Sequence, residues 1–199
     1  MRVFCVSLSV LSLPLLAAPV VKNPSFEAKS FDKWPGYARQ HGGEIPGWQI
    51  EGSVGVNPVF DAKGGGKPKP RHAFSDNGRT PHGRQVVFMQ NTAKLSQKVA
   101  GFEKGKTYRV LFFENGRHNH APHRNPKLKV TLGGEVVVSE HAVLPVTGFE
   151  ARNMPYARVE SAEFTAPADG AFELVFETTF GDRVAVLLDN VRIEEIKKP

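Results

Sequence analysis

Apolar and polar residues alternate along most of the chain in short runs rich in β-branched and aromatic side chains. Gly, Pro, Asn or Asp bound each run, and no helical period runs through them. GWQIEGSVGV (47–56) reads as a strand. RQVVFMQN (84–91) reads as a second, with AKLSQKV (93–99) as its hairpin partner, and KTYRVLFFEN (106–115) follows. KLKVTL (127–132) and EVVVSEHAV (135–143) flank Gly133-Gly134, the strongest hairpin signal in the chain, because two glycines accept the positive φ of a primed turn. ARVESAEFTA (157–166), AFELVFETT (171–179) and RVAVLLDNVRIEEI (183–196) complete the series, and VVKNPSFE (20–27) begins it. About nine strands of this kind predict an all-β sandwich.

The alternation also assigns faces. Tyr108, Val110 and Phe112 share one side of their strand, and Arg109, Leu111, Phe113 and Asn115 the other. Phe172, Leu174 and Phe176 oppose Glu173, Val175 and Glu177. One face of each strand is expected to pack on a partner sheet, leaving a mixed face available. The stretch 57–83, dense in Gly, Pro and Lys, breaks the pattern and reads as a long excursion.

The first eighteen residues are of another kind. One Arg, an apolar run and Ala17-Ala18 form the pattern of a secretory signal peptide over 1–18, leaving 19–199 as one domain. The run is shorter than the ~20 apolar residues of a bilayer span, so no transmembrane anchor is expected after cleavage. The expected location is secreted, periplasmic or cell-envelope. Cys5, the one cysteine, lies in this leader, so the mature domain has neither disulfides nor thiol catalysis. Net charge is +6 and falls by one with Arg2. In a secreted protein such a balance favours acidic or sulfated polysaccharide, or an anionic surface, and no nucleic acid is expected.

Three landmarks then occur in order: NPSFE (23–27), IPGW (45–48) and LLDNV (187–191), with LSQKVAGFEKGKTYRVLFF (95–113) between them. Together they resemble the galactose-binding-like jelly-roll family, which includes xylan- and glucan-binding modules and cell-wall-associated secreted proteins. The resemblance covers nearly all of the mature chain and implies a two-sheet antiparallel jelly-roll sandwich. It also implies a structural Ca²⁺ where the first and last strands meet, with Glu27 and Asp189 at the matching positions. Calcium takes carboxylate and carbonyl oxygens, which suits both residues. The alternative is that they only bond loop backbone.

Modules of this family bind sugar on the open sheet or its rim, which needs an aromatic plate and a few planar polar groups. Trp34, Tyr37 and Tyr156 are candidate plates. Asn115 and Arg117 are the leading polar candidates, in phase with the available face, and Gln90, Asn91 and Arg152 are further ones. Trp48, after Pro-Gly at a strand start, reads as core. RHNHAPHR (117–124) reads as a hairpin loop or ligand rim; an anion site ranks second and a transition-metal site third, since arginines at both ends oppose an incoming cation.

The expected activity is non-catalytic binding of a cell-surface or extracellular polysaccharide, acidic polymers included. A lyase or hydrolase acting on an acidic glycan is the alternative. For hydrolysis Glu114, Glu173 and Glu177 could face the open sheet, and for a lyase Tyr156, His120 and Arg117 could supply base and charge neutralisation. No nucleophile elbow, paired-His metalloprotease motif or phosphate loop is present. A structural or adhesive envelope protein without sugar specificity is the third reading.

Overall fold

A computed structural model of the chain describes residues 18–31, 36–58, 80–118, 125–144, 156–179 and 184–197. Among these, nine strands and one 3₁₀ turn, Ala38–His41, account for the regular structure. The strands are β1 Gln49–Pro58, β2 Gln85–Phe102, β3 Thr107–His118, β4 Lys127–Leu132 and β5 Glu135–Ala142. They continue with β6 Ala157–Glu160, β7 Phe164–Thr165, β8 Gly170–Thr178 and β9 Val184–Glu195. All pairings are antiparallel, in the order β5-β4-β8-β2-β9-β3-β6, with β1 on β2 and β7 on β3. This is the expected jelly-roll architecture, built as one sheet that curls into two layers.

The curl is made by β2. Sequence patterning divides this region into two hairpin strands, but the structure runs it as one strand of 18 residues. Its first half pairs with β9 and its second half with β8, so a single strand serves both layers. Asn91 absorbs the change of direction at φ 61°, a conformation Asn tolerates better than most residues. The Thr178 hydroxyl donates to the Asn91 carbonyl at 2.6 Å and accepts from the Ala93 N–H at 3.1 Å, closing the bend. Opposite it, β1 changes register between Gly52 and Ser53. A Cβ on Gly52 (φ 75°) would lie 2.5 Å from the Thr92 carbonyl oxygen, so only glycine fits.

Between the layers lies one core. Val87, Met89, Val110, Phe112, Val186, Leu188 and Ile193 come from one side, and Leu95, Val99, Leu128, Val130, Leu132, Leu174 and Phe176 from the other. Phe112 meets Phe176 edge-on across it, with centroids 5.1 Å apart. The face assignments for Tyr108, Val110 and Phe112 and for Leu174 and Phe176 hold, and Trp48 plugs the core as expected. The β4–β5 turn uses Gly133 and Gly134 at positive φ, as their sequence predicts. The 157–166 run splits into β6 and β7, because Ser161 and Ala162 turn away to bond elsewhere.

Where they turn, they stitch the far side of the sandwich. Ser161 N–H donates to the Val110 carbonyl at 2.9 Å, and Ala162 N–H to the Val137 carbonyl of β5 at 2.8 Å. Gly116 N–H reaches Leu144 O at 3.2 Å. Beside them, buried Glu114 of β3 meets His141 of β5, with Nε2 2.9 and 3.1 Å from the two carboxylate oxygens. These contacts join β5 to β3 and to the turn after β6 where the two layers meet.

The opening segment is not the strand its pattern suggests. Residues 20–27 form bends and turns, because Asn23 and Phe26 sit at φ 48° and 62°, which an extended strand cannot accept. Two buried glutamines of β2 satisfy its backbone instead. Gln97 accepts the Lys22 N–H at 2.6 Å and donates to the Lys22 and Gly47 carbonyls at 2.9 and 2.7 Å. Gln85 accepts the Phe31 N–H and donates to the Phe26 and Lys29 carbonyls. Val191 N–H donates to the Pro24 carbonyl, joining this segment to the last strand.

Two predictions follow from these contacts. Gln97→Ala leaves three inward-facing backbone groups without partners and should lower unfolding free energy by about 2–4 kcal/mol in a urea titration. The seam pair gives a pH dependence. Burial raises Glu114 above its ordinary value, outweighing the His141 contact. Burial opposes charge on His141, but its bond to Glu114 and backbone contacts prevail and raise it too. Both groups therefore bind protons more tightly in the folded state, so their stabilisation is full at acid pH and lost as pH rises through the folded values. Urea midpoints from about pH 4 to about pH 8 should show the advantage of wild type over the Glu114→Gln/His141→Gln double variant shrinking as pH rises.

Candidate functional site

The two outward faces differ in what they leave open. On the β5-β4-β8 side, Lys129 pairs with Glu177 at 2.8 Å and Lys127 with Glu140 at 3.0 Å. Glu140 also accepts from the Thr179 hydroxyl at 2.6 Å. Cross-strand pairs of this kind occupy the face with their own partners.

The other face carries two cross-strand rows. Gly55, Phe88, Leu187 and Asn115 form one, and Ser53, Gln90, Ala185 and Arg117 the next. Phe88 sits where it does because Gly55 has no side chain: a Cβ there would lie 2.5 Å from the ring. The Arg117 guanidinium lies 5.2 Å from the Phe88 centroid. Val86, Phe88, Tyr156 and Leu187 bury a second apolar cluster, flanked by Tyr37 and Phe113. The face expected to be open is thus sealed over its middle.

What stays accessible lies at the β1 end of the rows. Tyr37 bridges to Gly55, and its ring meets Phe88 edge-on at 5.0 Å. Its hydroxyl donates to Gln90 Oε1 at 2.5 Å, which fixes the ring plane. The Arg39 guanidinium stands 4.9 Å from the Tyr37 centroid, in cation–π range. Beside them a cleft of about 200 Å³ opens at the β1 bulge, lined by Tyr37, Arg39, Gly43, Ile50, Gly52, Ser53 and Val54.

Of the expected ligand residues, Tyr37, Gln90, Asn115, Arg117 and Tyr156 all come to this face. Tyr37 and Gln90 are half-buried and reach the cleft side. Asn115, Arg117 and Tyr156 are 1%, 2% and 7% exposed, so they pack behind it and offer no open surface. Phe113, Phe88 and Leu187 gather there with them, which is why strand phase alone misjudged the exposure. Asn91 is exposed but serves the β2 bend. Trp34, Arg152, residues 1–17 of the leader and the loop 119–124 lie outside the described residues. Arg39, Ser53 and Phe88 escaped the sequence reading; the Tyr-Ala-Arg spacing inside a Gly-rich turn was the one available signal for Arg39.

The three carboxylates considered for hydrolysis do not converge. Glu114 is bonded to His141 in the seam, Glu177 is ion-paired on the opposite face, and Glu173 shares that face. Among the described residues no cluster of three or more His, Cys, Asp or Glu side chains could hold a metal. No helix among them is long and apolar enough to cross a membrane.

Glu27 and Asp189 bracket one turn. Glu27 Oε1 accepts the Arg84 and Gln85 N–H groups, each at 2.7 Å, and Asp189 accepts those of His82 at 2.8 Å and Asn190 at 2.7 Å. Burial, assisted by the neighbouring Glu27 charge, pushes the fully buried Asp189 carboxyl up to about 8 despite these bonds. Ser25 is buried next to it. A buried carboxylate facing a second carboxylate and a hydroxyl is an oxygen-only donor set short of positive charge. That fits a hard cation, with carbonyl or water oxygens completing the shell.

Known structures place this architecture. TmCBM61, solved in complex with beta-1,4-galactotriose, is 17% identical, with a TM-score of 0.54 over 90% of this chain and 100% of that one. The N-terminal CBM22-1–CBM22-2 tandem domain from Paenibacillus barcinonensis Xyn10C is 15% identical, with a TM-score of 0.52 over 94% of this chain and 48% of that one. At such identities the likeness establishes the fold, a galactose-binding-like jelly roll. A comparison with curated proteins gives no match. The model of the HpiC1-like family, described as HpiC1 cyclase, matches residues 17–194, and the chain belongs to that family.

Proposed function

We propose that this is a secreted, non-catalytic glycan-binding protein that seats a sugar ring on Tyr37. The observation that carries the reading is the cleft: an aromatic plate fixed by Gln90 and flanked by Arg39 and Ser53. A pyranose offers an apolar C–H face to such a plate and hydroxyls to such a rim. Phe88, Arg117, Asn115 and Tyr156 support the plate from behind. The net charge, +6 for the whole chain and one less without Arg2, favours acidic polymers of a cell surface or extracellular matrix. In this reading residues 1–18 are removed on export, and the ligand is met outside the cell or in the envelope.

Family membership favours a second reading, since the matching model is that of a cyclase. A ring-closing enzyme would also use an aromatic-walled cleft, and Tyr37 supplies such a wall. The readings separate in two steps. A glycan array of neutral and acidic polymers should give binding that Tyr37→Ala weakens by about tenfold or more, equivalent to ~1.4 kcal/mol. Mass spectrometry of the bound glycan after incubation should return it unchanged. A cleaved or dehydrated product would favour an enzyme, and no binding to any glycan would end the leading reading.

The same reading includes a structural Ca²⁺ held by Glu27 and Asp189, which would neutralise the paired carboxylates and tie the opening segment to β9. At a hundredfold excess over Kd such an ion adds about 2.7 kcal/mol. For a chain of this size that is a Tm shift of roughly 5–10 °C. Chelator should lower Tm by that amount and added Ca²⁺ restore it, with the response lost in Asp189→Asn and Glu27→Gln. An unchanged Tm after complete metal removal would reject the ion.

A further inference from the structure

We propose that Arg39 makes this cleft selective for a sugar that carries a carboxylate, a uronic acid, over its neutral counterpart; the inference rests on the glycan reading above. The side chain is exposed, and its cation–π contact with Tyr37, 4.9 Å from the ring centroid, holds the guanidinium at the wall of the cleft. Among the described residues, several basic side chains of the strands and turns are matched by carboxylates, although Lys98 and Arg192 are not. Lys94 faces Glu51, Lys106 faces Glu103 and Glu195, Arg109 faces Glu160, and Lys127 and Lys129 face Glu140 and Glu177. Arg39 makes no ion pair among the described residues, and no carboxylate lines the cleft.

The remaining polar groups point the same way. Gln90 Oε1 is taken by the Tyr37 hydroxyl, so its amide N–H groups are what it has to donate. Ser53, opposite Gln90 in the β1–β2 register, brings a hydroxyl. Among the described residues Arg39 is the one charged group lining the cleft, with the Ser53 hydroxyl able to donate beside it, and this favours an anionic acceptor. A guanidinium engages a carboxylate through two parallel N–H···O bonds, and its stacking on tyrosine leaves that edge free. Lysine cannot reproduce that fork.

Calorimetric titration with galactotriose and trigalacturonate, at ionic strengths of about 0.15 M and about 0.5 M, tests this. Wild type should bind the uronate at least about tenfold more tightly at both. Arg39→Gln should bring the two affinities to within about threefold of each other, Arg39→Lys should retain part of the preference, and Lys98→Gln, an equal charge loss on the opposite layer, should leave it intact. Equal affinities in wild type, a preference that survives Arg39→Gln, or one that vanishes at the higher salt would each overturn the role of Arg39 while leaving glycan binding standing. Failure of wild type to bind either trisaccharide would overturn both.

Discussion

The structure depends on one strand doing the work of two. β2 crosses from one layer to the other at Asn91, and each layer is registered on one half of it. A bend in a central strand is costly, because it breaks bonds of the ladder. Thr178 removes that cost by donating to one freed carbonyl and accepting from a nearby amide. Gly52 lets β1 follow without a side chain in the way of the Thr92 carbonyl. The cleft is a consequence: the β1 bulge that accommodates the bend is also where the surface opens.

The ends of the chain obey a related constraint. An opening segment that turns at Asn23 and Phe26 cannot join a ladder, yet several of its backbone groups face β2. Gln85 and Gln97 act as portable ladder rungs, each presenting one acceptor and one amide to a segment that runs opposite to β2. With Val191 bonded to Pro24, the first and last described segments close over the same end of the sandwich. In a fold without disulfides, this side-chain bonding is what resists fraying, and the Glu27–Asp189 pair sits within it.

Local chemistry was legible in the sequence and non-local compensation was not. The Gly133-Gly134 hairpin, the inward phase of Phe112 and Phe176, and the core role of Trp48 follow from turn preference and alternation, which act within a few residues. The Gln-Asn-Thr at 90–92 looks like a turn for the same reason, and it is one in conformation, since Asn91 is left-handed. Nothing nearby reveals that Thr178 lets the strand continue. Arg117 misled in the opposite direction. A guanidinium at a strand end reads as exposed, but a phenylalanine two strands away offers it a π face and the cluster closes around both. Tyr37 and Gln90 were both legible as candidates, whereas their bond, across more than fifty residues, was not.

That distribution bears on how such a face evolves a ligand. The sealed middle, with Phe88, Leu187, Asn115 and Arg117, is coupled through packing to both sheets, so changes there perturb the fold. The rim is not so bound: Arg39 is exposed on a four-residue 3₁₀ turn, and Ser53 occupies a register break. Tyr37 joins the two regimes, with its ring edge on the buried cluster and its other contacts toward the cleft. On the proposed reading a substitution at Arg39 alters which molecule is preferred without altering whether the Tyr37 ring is held in place. In the proposed reading, the rigid part of the jelly roll supplies the surface and the exposed rim supplies the choice of ligand.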